Sequence, residues 1–216
     1  MADRRRYTGT KTLQAGWTLL VLVATVVIEL LGLVPTVVSV GGASACWIVG
    51  LVTLGLRERR HWNSAVGESS FDRGPSGHTA DLQQIVLGKS VTVTTDVPGL
   101  LTPEHTEFRA PVEGVDASFT VHITDTELAD SDGLTTGVDA LDERFVITGA
   151  EGNVSALLTE QVRDTLLAVD APGTYTIMPD RVLFEVPFTR LKSDELAAGG
   201  KAVAVLAKRL ESVGQQ

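Results

Sequence analysis

The residues able to do chemistry in this chain of 216 are few and scattered. There are four histidines, His61, His78, His105 and His122, and one cysteine, Cys46. A zinc site needs three or four imidazole or thiolate donors, often with two histidines one helical turn apart. These histidines show no such spacing, and Cys46 lies in an apolar run. With a single cysteine, no intramolecular disulfide can form, which fits a reducing compartment. Asp130, Asp132 and Gly133 share part of a calcium-loop pattern, but the bidentate Glu at its twelfth position is missing. Asp142, Arg144, His105 and His122 are the residues from which a scattered acid–base site could be assembled. No nucleophile elbow, phosphate-binding glycine loop or dinucleotide fingerprint occurs. Asn153-Val154-Ser155 is a glycosylation triplet, relevant only to an exported domain. These patterns assign no catalytic, cofactor-binding or metal residue, and no cofactor is implied.

The elements that must position such residues come from periodicity. Leu82–Val86 and Ser90–Thr95 flank Gly88-Lys89 and predict a β-hairpin. Residues 97–111 carry three prolines and read as loop ending in a short strand. Ala117–Thr124 alternates Phe119, Val121 and Ile123 with polar residues, which predicts a half-buried strand with His122 on its exposed side. Residues 127–137 read as polar turn, and Arg144–Thr148 as a short strand with Asp142 and Arg144 on the polar face and Phe145 and Ile147 in the core. Val154, Leu157, Leu158, Val162, Leu166 and Leu167 keep helical spacing, with a break and restart near Thr159. A second hairpin is expected around Met178-Pro179-Asp180-Arg181, and a final helix over Ser193–Val213. Gly199-Gly200 weakens that helix by about 1 kcal/mol per glycine relative to alanine. Strands grouped apart from helices predict an α+β domain: an antiparallel sheet with two or three helices.

Ahead of this domain lies a different chemistry. Ala15–Leu56 holds 42 residues and one formal charge, Glu29. That length suits two bilayer crossings of about 20 residues joined by a turn. Pro35 should end the first span, over 15–33, before the second runs over 37–56. Arg4, Arg5, Arg6 and Lys11 precede the run, and Arg57, Arg59 and Arg60 follow it. Basic flanks stay on the cytoplasmic side, so both the N-terminus and the large domain are expected in the cytoplasm. Arg4-Arg5-Arg6-Tyr7 and Ala43-Ser44-Ala45-Cys46 resemble export and lipidation signals. The apolar stretch before Cys46 is far longer than a signal core, so an uncleaved hairpin is the preferred reading. Trp17 suits an interfacial anchor and Trp47 a contact between the spans. Glu29 could serve as a relay or a polar contact, but it stands about six residues from the turn and reads as interfacial. Gly41, Gly42, Ala45, Cys46 and Gly50 keep four-residue spacing that suits packing against the first span, or homo-oligomerisation through the same face.

The expected organisation is a basic cytoplasmic N-terminus over 1–14, a hairpin over 15–56, a mobile linker over 57–79 and a soluble domain over 80–216. Residues 1–61 carry 7 Lys+Arg against 3 Asp+Glu, and residues 62–216 carry 11 against 24, so the charges are +4 and −13. A domain at −13 repels phosphates, which argues against nucleic acid as a partner. Acidic residues beside only five lysines suit a high-salt cytoplasm. The domain should then expand or unfold in dilute buffer, and circular dichroism unchanged from molar to millimolar salt would refute that expectation.

Thr136-Gly137-Val138-Asp139-Ala140-Leu141-Asp142-Glu143-Arg144-Phe145-Val146-Ile147, followed by Ala156-Leu157-Leu158-Thr159 and Val162-Arg163, resembles a pattern in uncharacterised two-pass membrane proteins of halophilic archaea and some bacteria. The resemblance implies a transmembrane hairpin ahead of a cytoplasmic α+β domain. Leu141 stands where an aromatic is usual. That family has no assigned activity, so no site residue carries over. The expected function is a membrane-anchored, non-enzymatic module whose partners are the lipid bilayer and a membrane or cytoplasmic protein. The alternatives are a tethered enzyme with a scattered site, or a small accessory subunit of a transporter that uses Glu29.

Overall fold

The computed structural model describes residues 10–30, 36–73, 82–95, 105–115, 118–130, 132–187 and 191–215. The chain divides into two compact units, Met1–Ser64 and Ala65–Gln216.

The first unit is a helical pair. Helix α1 spans Thr10–Leu30, and α2 spans Thr36–Glu68, starting in this unit. Both are built of long aliphatic stretches without an internal proline. Trp17, Val21, Thr25 and Ile28 recur at helical spacing and are the half-buried residues of α1. Ala43, Trp47 and Gly50 are their counterparts on α2. Trp47 Nε1 donates to Thr18 Oγ1 at 3.0 Å, and the Trp17 ring lies where a Cβ on Gly50 would stand. As one helix advances from 17 to 18, its contacts retreat from 50 to 47, so the pair is antiparallel. The expected turn at residues 32–36 falls largely outside the described residues. Among the described residues, no helix is long and apolar enough to cross a membrane.

The second unit is α+β. Its strands are β1 (Asp72–Arg73), β2 (Leu82–Val86), β3 (Lys89–Thr95), β4 (Thr106–Pro111), β5 (Val121–Asp125), β6 (Phe145–Gly149), β7 (Thr174–Met178) and β8 (Arg181–Val186). They form one sheet in the order β1-β2-β3-β4-β8-β7-β5-β6, and every neighbouring pair is antiparallel. The helices are α3 (Asp139–Arg144), α4 (Glu151–Leu157), α5 (Glu160–Leu167) and α6 (Ser193–Gly214).

Register aligns the core across the sheet. Val93, Phe108, Phe184, Tyr175, Ile123 and Ile147 are successive partners, and all six are buried. Phe184 stacks on Tyr175 with ring centroids 4.1 Å apart and lies 5.5 Å from Phe108. Helix α6 crosses this row and is buried without interruption from Ala202 to Ala207. Its two glycines are explained by close approach. A Cβ on Gly199 would come within 2.9 Å of the Phe108 ring, and one on Gly200 within 2.7 Å of Phe71. The lost helix propensity is the cost of bringing backbone onto aromatic rings.

Several expectations need correction. Among its described residues the domain has four helices, α3 to α6, rather than two or three. Asp142 and Arg144 lie in α3, not on a strand, because the Asp142 carboxylate ties the preceding loop to the helix and β6 starts only at Phe145. Residues 57–68, read as the first part of a linker, continue α2, and Ala65, Val66 and Phe71 are buried in the second unit. These apolar side chains stand among the serines and glycines that suggested mobility. Phe119 is buried as expected, although the strand begins only at Val121. Both hairpins, the break at Thr159 and the final helix stand where periodicity put them.

Candidate functional site

The side chains opposite the core row form the other face of the sheet. One row across it reads Thr92, Arg109, Leu183, Thr176, His122 and Thr148, and the next reads Thr94, Glu107, Glu185, Thr174, Thr124 and Val146. None of these twelve is buried, while their neighbours along each strand are. Alternation of this kind is what a half-covered antiparallel sheet requires. β-Branched threonines suit the pleat and keep the face polar. Arg109 donates to Glu107 Oε1 at 2.9 Å, and Glu185 stands opposite Glu107 on the next strand. Asp180 and Arg181 pair at 2.8 Å beside it, which holds the Asp180 carboxyl below its ordinary range.

A second concavity lies on the helix side. The β2–β3 turn, the start of α5 and the end of α6 enclose a groove of about 450 Å³. Leu87 and Val205 give it apolar walls, and Thr159, Glu160, Lys208 and Arg209 its polar rim. Both Nε and Nη2 of Arg209 donate to the Ala156 carbonyl, at 2.9 and 2.6 Å. This satisfies the end of α4 and fixes the guanidinium. Lys89 pairs with Glu211, which also accepts from the Glu113 N–H at 3.1 Å, so the start of β3 is tied to α6.

The residues singled out for chemistry do not converge. Asp142 Oδ1 accepts from the Thr136 N–H at 2.8 Å and its hydroxyl at 2.7 Å, and Oδ2 accepts from the Gly137 N–H at 3.1 Å. Those bonds, the Thr136 backbone bond foremost, lower its pKa. The familiar-looking Thr136–Asp142 segment is therefore a loop lock. Arg144 donates to the carbonyls of Leu167 and Val169 at the end of α5, lies 3.9 Å from Asp125 and stacks 5.0 Å from the Phe145 ring centroid. His122 is exposed on the open face, with Nδ1 3.4 Å from Thr176 Oγ1. His105 precedes β4 and is half-buried. The side chain of His61, all of His78 and the side chain of Glu29 lie outside the described residues. Asp130 and Asp132 are exposed, and among the described residues no group of three His, Cys, Asp or Glu could hold a metal ion. Asn153 is half-buried on α4. Cys46 is a free, exposed thiol on α2, and Gly42 and Ala45 beside it are also exposed, whereas Gly50 packs on Trp17.

Tyr175 is a buried titratable group that periodicity identified only as core. Among the described residues its hydroxyl has no hydrogen-bond partner, and burial raises its pKa well above the ordinary phenol value, which keeps it protonated. The groove was also not readable in advance. Gly88 signalled the turn, but nothing in the sequence marked Leu87 as a groove wall.

No family model and no curated protein matches the chain. Among solved structures, the chain is similar to the crystal structure of the mycobacterial trehalose monomycolate transport factor A, at 12% identity and a TM-score of 0.45, covering 72% of this chain and 93% of that one. A likeness that faint carries no argument about function.

Proposed function

We propose that this chain is a membrane-anchored, non-enzymatic interaction module. In this reading α1 and α2 form a transmembrane hairpin, the acidic α+β domain stands in the cytoplasm, and its open sheet face receives a protein partner. The observation that carries the reading is the aliphatic surface of the helical pair. Leu19, Leu20, Leu22 and Val23 on α1, and Ile48, Val49 and Val52 on α2, are all more than half exposed. In water such a surface is costly, at about 25 cal/mol per Å²; in lipid it is satisfied. The single formal charge across Ala15–Leu56 and the arginines at both ends support the same placement. The module reading is supported by an uncovered polar sheet face and by candidate side chains committed to loop, cap and sheet bonds.

The test has two parts. Carbonate at high pH should leave the full chain in the membrane fraction, and release into the supernatant would refute the anchor. A photo-crosslinker at Thr176 should trap a discrete heteromeric adduct in native membranes, lost when Glu185→Arg or Thr174→Arg roughens the face. A crosslinking pattern indifferent to those changes would refute the open face as the partner site.

A further inference from the structure

Asp132 and Gly133, part of the incomplete calcium pattern, form a dipeptide with a chemistry of its own. Of all the aspartates and asparagines in the chain, Asp132 alone is followed by glycine. The pair lies in the loop between β5 and α3, outside any helix or strand, and both residues are exposed. A glycine amide has no side chain to shield it. An exposed aspartate outside regular structure can turn its carboxyl back onto the amide that follows. These are the requirements for attack of the Gly133 nitrogen on Asp132 Cγ.

The fold keeps the glycine in place. β6 is the last strand of the sheet, and this same loop lies along its outer edge. Leu134 donates its N–H to the Ile147 carbonyl at 2.7 Å. A Cβ on residue 133 would stand 2.7 Å from Ile147 N, 2.8 Å from Ile147 O and 2.8 Å from Val146 Cγ1. Any side chain that would shield the amide therefore meets the backbone of β6. The glycine that lets the loop cover the edge is also the one that leaves the dipeptide reactive. The cover matters because an open edge is a template for pairing with another chain.

We infer that Asp132-Gly133 is a site of spontaneous modification, through a succinimide to isoaspartate. The Gly133 nitrogen bonds to Asp132 Cγ and gives up its proton, and a carboxyl oxygen leaves as water. Water then adds to one of the two imide carbonyls. Addition at the main-chain carbonyl carbon breaks its bond to nitrogen and gives isoaspartate. Addition at Cγ restores aspartate. The mass is unchanged, and water is the only co-reactant. Isoaspartate carries one extra methylene in the main chain ahead of Gly133. That methylene shifts Gly133 off Ile147, breaks the bond from Leu134 and uncovers the edge of β6.

The test incubates the full chain, folded in detergent, in mildly acidic buffer made with heavy-oxygen water. Proteolytic peptides are then read by mass spectrometry with a fragmentation that separates isoaspartate from aspartate. Heavy oxygen should accumulate at residue 132, mostly as isoaspartate. It should not accumulate at Asp139, which is also exposed but fixed in α3. Asp132→Glu keeps the charge but requires a larger ring, and should abolish the label. Hydrogen exchange on the aged wild-type chain should show lost protection at Leu134. No label in the folded chain overturns the inference, whether or not unfolding in urea restores it. Label at Asp139 at the same rate, or label that survives Asp132→Glu, overturns the assignment to this dipeptide. Label at residue 132 with unchanged protection at Leu134 overturns the effect on the edge.

Discussion

Leu20 on α1 is 59% exposed, while Leu196 on α6 is fully buried. The same side chain meets opposite surroundings in the two units. In the helical pair, half-burial is confined to a stripe of aromatic, small and a few aliphatic residues, and the bulkiest aliphatics point away from it. In the sheet domain the aliphatics form the core row, and threonines and charges take the outer face. One unit buries most of its large aliphatics, and the other turns many of its own outward. The inversion teaches that apolar content alone says little about stability, because the solvent decides which arrangement is satisfied.

The largest expected effect tests this contrast. Phe184 stacks with Tyr175 and sits 0–1% exposed in the middle of the core row. Phe184→Ala should destabilise the domain by about 3–5 kcal/mol, from lost transfer energy and the cavity left behind. Leu20→Ala should change domain unfolding by less than about 0.5 kcal/mol. Denaturant titration of both variants in the same detergent checks the pair, and equal losses would break the comparison. Next come the close-approach glycines. Gly199→Val forces a methyl group into the Phe108 ring and should cost about 1–3 kcal/mol. Gly50→Val displaces the Trp17 ring in the other unit and should leave the domain's unfolding midpoint where it was.

Much of the sheet domain was legible, because alternation and helical spacing record burial directly. Tyr175, Ile177, Val182, Phe184 and Val186 announce β7 and β8, and Leu196, Val203, Leu206 and Leu210 announce α6. What stayed hidden depends on tertiary approach. Gly199 and Gly200 read as flaws in a helix until Phe108 and Phe71 are seen beneath them. Asp142 read as the polar face of a strand, because a carboxylate that accepts backbone bonds six residues back leaves no periodic mark. The candidate site was less legible than the fold. The open face is a register property, spread over six strands, and His122 alone among its members had drawn notice.

Asp142 gives the third prediction, and it concerns the sheet domain alone. Its three accepted bonds should make Asp142→Asn destabilising by about 1–2 kcal/mol near neutral pH. The pH dependence follows from the direction of the shift. The carboxyl titrates below its ordinary value of 3.8 in the folded chain. Its contribution is therefore complete above the unfolded value and is lost as pH falls through the lower folded value. Urea midpoints measured from pH 7 down into the acid range should converge for wild type and Asp142→Asn. A gap that stays constant would mean that the bonds do not depend on charge.

The smallest effect bears on the residue that blurs the comparison. Leu87 is one of four exposed large aliphatics, with Ile85, Leu128 and Leu134, among the described residues of the unit that buries most of its aliphatics. If exposure there were an accident of the turn, asparagine would serve the hairpin better at no loss. Leu87→Asn keeps the left-handed backbone with a residue suited to it, so it should stabilise the domain by about 1 kcal/mol. Thermal unfolding in detergent gives the sign, and a lower midpoint would show that Leu87 earns its place through contacts with Val205 in the groove.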